Sequence, residues 1–391
     1  MTNIQDSAWP LVFAVDPDSF TENRLRSTGH LLHIRTSARA LEGMQKEAVV
    51  EYGDTGRIWR MVCDEGPYLN GTDLAPFPLG FFAAGLTASY MSAYLAEAKD
   101  RDITINTLRV FVDNYYSMEG SALRGTMKAG VQPTTVRFEA GGDASDGELE
   151  DIGEVAVIDR SPVTAVLRSA LHSAFSIRGN DALLQHSLFP APTMGALSDP
   201  LTSFDQAQPV EAESSVSTII QKAEHVAKAP DDGGPPVGLQ ADQKRMLHVH
   251  AEGQLRKDGL KEITARCIQP ESTAFTFLSD DSRLFGGQER APSGLSYLAA
   301  GVVFCFMTQL GRYAQIAKQN LASYRVVQDT TFDIRTVYEP KADSVQTLVC
   351  VDANEPDDNI IKLVQMGEQT CYLHGAYRLP TETKIISAYA S

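Results

Sequence analysis

Two stretches of the chain are apolar at nearly every position, one running toward Lys99 and the other toward Lys318. A helix that is apolar on almost all of its faces is normally buried on most of them. Proline at the first turn of a helix loses no hydrogen bond, so Pro76 and Pro292 indicate where these helices begin. The pattern therefore predicts two long buried helices that end near Lys99 and Lys318.

Runs of alternating apolar and polar residues surround each of these helices and predict β-strands. A shorter helix follows each set of strands, near residues 147–158 and 357–368. Strands on both sides of a buried helix indicate an α+β domain, and the chain carries this pattern twice. The predicted strand regions are 47–63, 106–116, 122–129 and 133–139 in the first half, and 262–277, 324–338 and 344–351 in the second.

One stretch of the first half also aligns without a gap with a stretch of the second half. The text NGTDLAPFPLGFFAAG at residues 70–85 lies beside GGQERAPSGLSYLAAG at residues 286–301. This register places Gly71 on Gly287 and, further along the helix, Ser89 on Cys305. The shared order of turn, proline and helix indicates two diverged copies of one domain, fused head to tail.

Domain boundaries follow from this repeat and from a change in composition between the copies. Residues 189–243 contain a segment rich in Pro, Ser, Asp, Ala and Gly, which is typical of a linker, with one helix near 215–229. The first copy then occupies residues 1–188 and the second residues 244–391. A length of 391 residues also exceeds what one hydrophobic core usually serves.

Charge and apolar content exclude several classes of partner. The formal net charge of −16 argues against nucleic acid and against acidic lipid surfaces, which both need clustered Lys and Arg. Residues 1–10 lack the pattern of a signal peptide, and the most apolar stretch, 295–310, is too short to span a bilayer. We therefore expect a cytoplasmic protein with no membrane partner.

Cysteine and glycine patterns indicate no metal and no nucleotide cofactor. The five cysteines are scattered and have no metal-type spacing, so neither a disulfide framework nor a zinc site is predicted. His248 and His250 fall on one face of a strand, but no third ligand accompanies them. No phosphate-binding glycine motif occurs. We expect no cofactor.

The helix that contains Cys305 resembles the OsmC/Ohr family of organic hydroperoxide reductases. In that family the central helix follows a Gly-Gly turn and reads similarly to PSPLEYLLAALASC; here residues 292–305 read PSGLSYLAAGVVFC. The family's second cysteine opens a later helix as Cys-Pro-Val. The matching text is CYLH from Cys371 to His374 in the second copy and Ser161-Pro162-Val163 in the first.

This resemblance implies a fold and an assembly. The family forms intertwined homodimers with two long helices packed between sheets and cysteine sites at the interface. The chain is then expected to be an α+β intramolecular pseudo-dimer of two OsmC-like domains, of which the first lacks both cysteines. Whether pseudo-dimers associate into a further homodimer stays open. Ser296 stands where the family commonly has a glutamate that orients an arginine, and Arg283 and Arg290 are candidate sources of positive charge.

The same resemblance implies catalysis by Cys305 and Cys371. Cys305 would attack an organic hydroperoxide, form a sulfenic acid and be resolved by Cys371 as a disulfide, which a dithiol reductant would reopen. Apolar neighbours favour a small apolar substrate. His374 lies one helical turn after Cys371 and is a candidate acid/base.

Three other interpretations stay open. Cys305 and His374 would serve a hydrolase or lyase that acts on an apolar carbonyl or sulfur compound. Alternatively, the protein would be a non-catalytic binding protein on the same scaffold. In the third interpretation Cys305 has no such role and is a buried core thiol, because it lies well inside an apolar helix.

Overall fold

The chain folds as two large β-sheets that enclose a pair of long helices. A computed structural model describes residues 3–7, 9–16, 25, 30–53, 57–193, 197–210, 219–223 and 243–386. The strands of the first half are β1 Val12–Val15, β2 Leu31–Ala40, β3 Lys46–Tyr52, β4 Ile58–Cys63, β5 Ile105–Gly120, β6 Lys128–Val131, β7 Thr134–Gly142, β8 Ala174–Gly179 and β9 Ala182–Leu184. Those that follow are β10 Ile220–Lys222, β11 Gln243–Leu255, β12 Lys261–Gln269, β13 Phe275–Ser279, β14 Leu321–Asp333, β15 Lys341–Ala342, β16 Gln346–Ala353 and β17 Thr383–Ile386.

The helices occur in the same order in each half. A long helix comes first and a shorter helix follows it. A helix of one or two turns comes after the shorter one. Their bounds are α1 Pro78–Asp100, α2 Asp146–Val155, α3 Pro162–Arg168, α4 Leu201–Gln206, α5 Gly294–Ala317, α6 Asp357–Thr370 and α7 Tyr372–Arg378. A π-helical turn at Ala156–Arg160 joins α2 to α3, and 3-10 turns at Pro67–Leu69 and Arg283–Phe285 precede the long helices.

Each sheet contains strands from both halves. The first sheet has the order β1-β4-β3-β2-β14-β16-β8-β9, and the second has the order β10-β13-β12-β11-β5-β7-β17. The halves meet where β14 pairs with β2 and where β5 pairs with β11, in both cases antiparallel. Strand β8 then returns parallel to β16, and β17 returns parallel to β7. The two predicted domains therefore exchange strands rather than fold side by side.

The two long helices lie between the sheets and contact each other closely. Helix α1 packs against β5, β11 and β12, whereas α5 packs against β2, β3 and β14. Their backbones approach at glycines: a Cβ on Gly85 would lie 2.6 Å from the Leu298 nitrogen and 2.7 Å from the Gly294 carbonyl oxygen. Only glycine fits at such a crossing. The two helices are therefore the shared core of both sheets, as predicted.

Most predicted elements are present, with shifted boundaries. Helix α1 begins at Pro78 and α5 at Gly294, two residues after the prolines taken as start signals, and Lys318 caps α5. The strand predicted over 122–129 is wrong over most of its length, because residues 122–125 form turns and β6 begins only at Lys128. Tight turns are favoured there because Gly120 and Gly125 both have positive φ angles.

The segment between the halves differs from its prediction. The helix expected near 215–229 is wrong in its described part, since Ile220–Lys222 is a strand that pairs with β13. The rest of that predicted helix lies outside the described residues. A helix is present earlier, at α4, and the bridge between Val15 and Pro209 holds the segment after it to the first half.

Helices α1 and α5 extend beyond their most apolar stretches of sequence. By length and composition, α1 and α5 could each cross a membrane, and the expectation that 295–310 is too short for a span understates the 24 residues of α5. However, 83% of the most apolar window of α1 and 94% of that of α5 are buried inside the protein. Helices that are apolar on all faces serve equally as the core of a globular protein, and that is their position here.

Candidate functional site

The structure brings the two predicted cysteines together. Cys305 lies in the middle of α5 and Cys371 is the residue at which α6 ends and α7 begins; their exposed fractions are 2% and 0%. The two side chains lie close enough to interact directly. Burial raises the pKa of the Cys371 thiol well above its usual range, and the contact with Cys305 raises it further. We call this pair and its neighbours the cysteine site.

His374 is the third predicted residue, and it contacts Cys371 directly. Its Nδ1 atom lies 3.2 Å from the Cys371 sulfur, and its backbone N–H donates to the same sulfur at 3.4 Å. Its Nε2 atom lies 3.2 Å from the Gln328 side-chain nitrogen, which is a donor, so Nδ1 carries the imidazole proton and donates to sulfur. Burial lowers the pKa of His374 to about 3, and nearby Arg378 contributes to that fall. The imidazole is therefore neutral at pH 7.

The first half of the chain covers the cysteine site with an acidic residue that sequence reasoning missed. Glu65 is 3% exposed, and its Oε1 atom accepts a hydrogen bond of 2.7 Å from the hydroxyl of Thr308, three residues after Cys305. Burial raises the pKa of Glu65, although Lys46 and the Thr308 hydrogen bond oppose that rise. Asp64 orders the loop by accepting hydrogen bonds from the backbone of the turn that follows.

The positive charge at this site comes from other arginines than those expected. Arg283 is 72% exposed and pairs with Glu289, and Arg290 pairs with Asp280. Both belong to a loop of the second half that covers the first half's helix. Arg312 lies near the cysteine site instead, on the same helix as Cys305: burial raises the pKa of Glu65 and that of Tyr372, and the charge of Arg312 opposes both rises. The expected arginines are misplaced because the two halves exchange loops.

Two further side chains lie beside the thiols. Burial raises the pKa of Tyr116 well above its usual range, and the neighbouring Cys305 and Cys267 add to that rise. The Tyr116 hydroxyl is buried and has no hydrogen-bond partner among the described residues. Burial also raises the pKa of Cys267 to about 12, and its thiol donates to two backbone carbonyls. Tyr116 is therefore the neighbour with an unused hydrogen-bond donor.

The first half contains the same arrangement with hydroxyls in place of thiols. The Oγ atoms of Ser89 and Ser161 lie 3.0 Å apart; the repeat register pairs Ser89 with Cys305, and the family's second-cysteine motif matches Ser161 to Cys371. Ser92 donates to Asp281 at 2.6 Å, as Thr308 donates to Glu65 in the other half. We call this pair and its neighbours the serine site. The repeat register alone could have found the acidic partner, because it places Glu65 on Asp281.

The remaining predicted positions lie outside these two sites. Ser296 is 1% exposed in the first turn of α5, where its backbone N–H donates to Ser293 and the two hydroxyls lie 3.0 Å apart. His248 and His250 share one face of β11, as predicted, and both contact the same Asp113 oxygen, at 2.6 and 2.8 Å. No group of three or more His, Cys, Asp or Glu residues within the described ranges is arranged to hold a metal ion.

Comparisons with known proteins place the cysteine site in an OsmC-like segment. Residues 286–385 match the family model described as OsmC, OsmC-like protein. That segment contains Cys305, Cys371 and His374, so the second half of the chain carries an OsmC-like domain. No curated protein matches the chain.

One solved structure whose title also contains the term OsmC-like matches part of the chain. It is the crystal structure of an OsmC-like hydroperoxide resistance protein from Jannaschia sp. CCS1, which is 20% identical. The match covers 33% of this chain and 83% of that one, with a TM-score of 0.21. A superposition at that score supports no conclusion about activity.

The burial of His374 predicts an acid-sensitive stability. Its pKa is about 3 in the folded protein, against about 6.5 in an unfolded chain, so the unfolded state binds the extra proton between those values. Stability from this group is fully present above about pH 6.5 and falls by about 1.4 kcal/mol per pH unit as the pH drops toward 3.

Replacing His374→Gln should remove that component from the pH dependence of urea unfolding. His172→Gln is the matched control, because His172 is exposed. Equal pH slopes for the two variants would contradict the assignment of a buried, neutral imidazole.

Proposed function

We propose that the protein reduces organic hydroperoxides with Cys305 as the attacking thiol and Cys371 as the resolving thiol. The observation that carries the proposal is the close approach of the two thiols inside the OsmC-like segment. Two thiols in such contact are ready to form a disulfide once one of them is oxidised. The name of the similar crystal structure adds no support at its low TM-score.

Roles within the pair follow from their surroundings. Burial and the Cys305 contact keep Cys371 protonated at neutral pH, since its pKa lies well above the usual range. The sulfur of Cys371 also accepts from both the backbone N–H and the imidazole of His374. Its own S–H therefore points toward Cys305. We assign attack to Cys305, and to His374 the role of a positioning residue for the resolving thiol.

The reaction then balances in three steps. The Cys305 thiolate attacks the outer oxygen of ROOH, the O–O bond breaks, and the alkoxide takes a proton to leave as ROH. The Cys371 thiol attacks the resulting sulfenic acid, an S–S bond forms, and the hydroxyl leaves as water. A dithiol reductant reduces the disulfide by two electrons and restores both thiols. No metal or nucleotide takes part in this cycle.

Surroundings of the thiols favour an apolar substrate. Val302, Phe304 and Phe306 flank Cys305 on its helix, and each of them is 0% exposed. An apolar alkyl group gains free energy by entering such surroundings, whereas hydrogen peroxide has no group to bury. We therefore expect small alkyl or aryl hydroperoxides to be better substrates than hydrogen peroxide.

A Cys-His hydrolase or lyase is the second candidate, because the His374 imidazole contacts a thiol at 3.2 Å. A general base works best with a pKa near the working pH. The pKa of His374 is about 3, so its imidazole would be a weak base at pH 7. The contact is moreover with Cys371 and not with Cys305. The hydroperoxide proposal fits these facts better.

Treatment with tert-butyl hydroperoxide should join Cys305 to Cys371. We expect a disulfide-linked peptide pair by mass spectrometry, and a sulfenic acid on Cys305 in the Cys371→Ser variant, because resolution is then blocked. Equimolar hydrogen peroxide should react more slowly. Cys350→Ser is the matched control, since Cys350 is also 2% exposed but lies in β16. If the treated protein contained no disulfide and no sulfenate at Cys305, the proposal would be wrong.

Tyr116→Phe should slow the oxidation of Cys305 about tenfold, because one hydrogen bond to a charged sulfur or alkoxide is lost. The Tyr116 hydroxyl has no hydrogen-bond partner among the residues that the structure describes, so thermal stability should change little. Tyr297→Phe is the control: its hydroxyl donates to the Leu278 carbonyl at 2.7 Å, and its loss should lower stability without changing the rate. An unchanged rate in Tyr116→Phe would exclude the role.

A further inference from the structure

The serine site opens into a cavity of about 580 Å³, which lies within the range of small-molecule sites, about 300–1,000 Å³. Ser89 and Ser92 of α1 line it, together with Asp281 and Ser282 from the loop of the second half. The cavity thus adjoins the hydroxyl pair that stands where the other half has its thiols. Cys305 and Cys371, by contrast, are almost completely buried.

Hydrogen-bonding capacity remains unused in the cavity wall. The contact between Ser89 and Ser161 uses one of their two hydroxyl hydrogens, which leaves the other for a ligand. Ser282 is 3% exposed, and within the described part of the chain no hydrogen bond of ordinary geometry satisfies its hydroxyl, although the Tyr52 hydroxyl is close by. Buried polar groups are normally paired, so a ligand oxygen would complete this wall.

The rim of the cavity is apolar and exposed. Leu284 is 60% exposed, Phe285 is 47% exposed and Val337 is 57% exposed, and all three line the cavity. Large apolar side chains grouped at the mouth of a pocket are a common feature of binding sites. They would cover the apolar body of a molecule whose polar end reaches the hydroxyls.

The charged residues of the wall beside the serine hydroxyls are paired within the protein, whereas Lys99 of the same wall is exposed two helical turns beyond Ser92. Asp281 accepts from Lys261 at 2.7 Å and from Ser92 at 2.6 Å. Arg160 pairs with Asp100 at 2.7 Å and with Glu97 at 2.8 Å. A charged ligand head would have to give up its hydration without a free counter-ion among these pairs. The wall therefore favours an uncharged head group.

We propose that the serine site binds a small uncharged amphipathic molecule, such as an alcohol with an alkyl body, without reacting with it. Among the described residues, the side-chain hydrogen bond of each hydroxyl is with the other, so neither is paired with a base that would make it a nucleophile. The chain then has a binding site in one half and a thiol site in the other. Binding at the serine site does not depend on the chemistry at Cys305.

Titration of the full-length protein with 1-octanol, followed by saturation-transfer NMR, tests this proposal. We expect saturable binding that persists in Cys305→Ser, so that its failure and failure of the hydroperoxide reaction are separate results. Octanoate, which has the same chain and a charged head, should bind at least tenfold more weakly. Absence of saturable octanol binding, or tighter binding of octanoate, would overturn the proposal.

Two variants locate the binding. Leu284→Ser should weaken octanol binding about fivefold, because apolar contact at the rim is lost. Leu183→Ser is its match, since Leu183 is 59% exposed in β9 and does not line the cavity. Ser89→Ala should weaken octanol binding about fivefold to tenfold by removing one hydroxyl. Equal binding by Leu284→Ser and Leu183→Ser would place the octanol elsewhere and overturn the assignment.

Discussion

Backbone pairing between the two halves is the interaction on which the rest of the structure depends. Residues 325–333 of β14 hydrogen-bond along residues 31–39 of β2, and residues 243–254 of β11 do the same along residues 109–120 of β5. Each sheet is thus incomplete without the other half of the chain. The close crossing of α1 and α5 at Gly85 and Gly294 fits between sheets that are held in this way.

This exchange also decides the composition of both sites. Because the loop of each half extends over the long helix of the other, Glu65 reaches Thr308 and Asp281 reaches Ser92. The two sites share this frame and differ in their central atoms. Sulfur atoms occupy the buried site, whereas hydroxyls occupy the site that opens into a cavity. One scaffold therefore holds a thiol pair in one half and a hydroxyl pair beside a cavity in the other.

Local features of the sequence predicted much of this arrangement. The apolar residues of each long helix follow one another in the sequence, so the helices could be predicted. The shared register, which pairs Ser89 with Cys305, compares two such local stretches. Tyr116 was missed because its contacts with the second half cross roughly 150 residues or more, which no periodicity reports. Glu65 contacts Thr308 over 243 residues, and the only sequence signal for it is the register that aligns it with Asp281. The arginines near Cys305 were misassigned because their contacts are also distant in sequence, and the turns at 122–125 were mistaken for a strand because short runs are ambiguous.

The central claim is that neither half folds without the other half's strands, and separate production of residues 1–215 and 216–391 tests it most directly. Sedimentation and far-ultraviolet circular dichroism would report the mass and fold of each fragment alone and of their mixture. The account predicts that neither fragment forms a folded monomer and that the mixture forms a folded one-to-one complex. A cooperatively folded monomer of either fragment would contradict it.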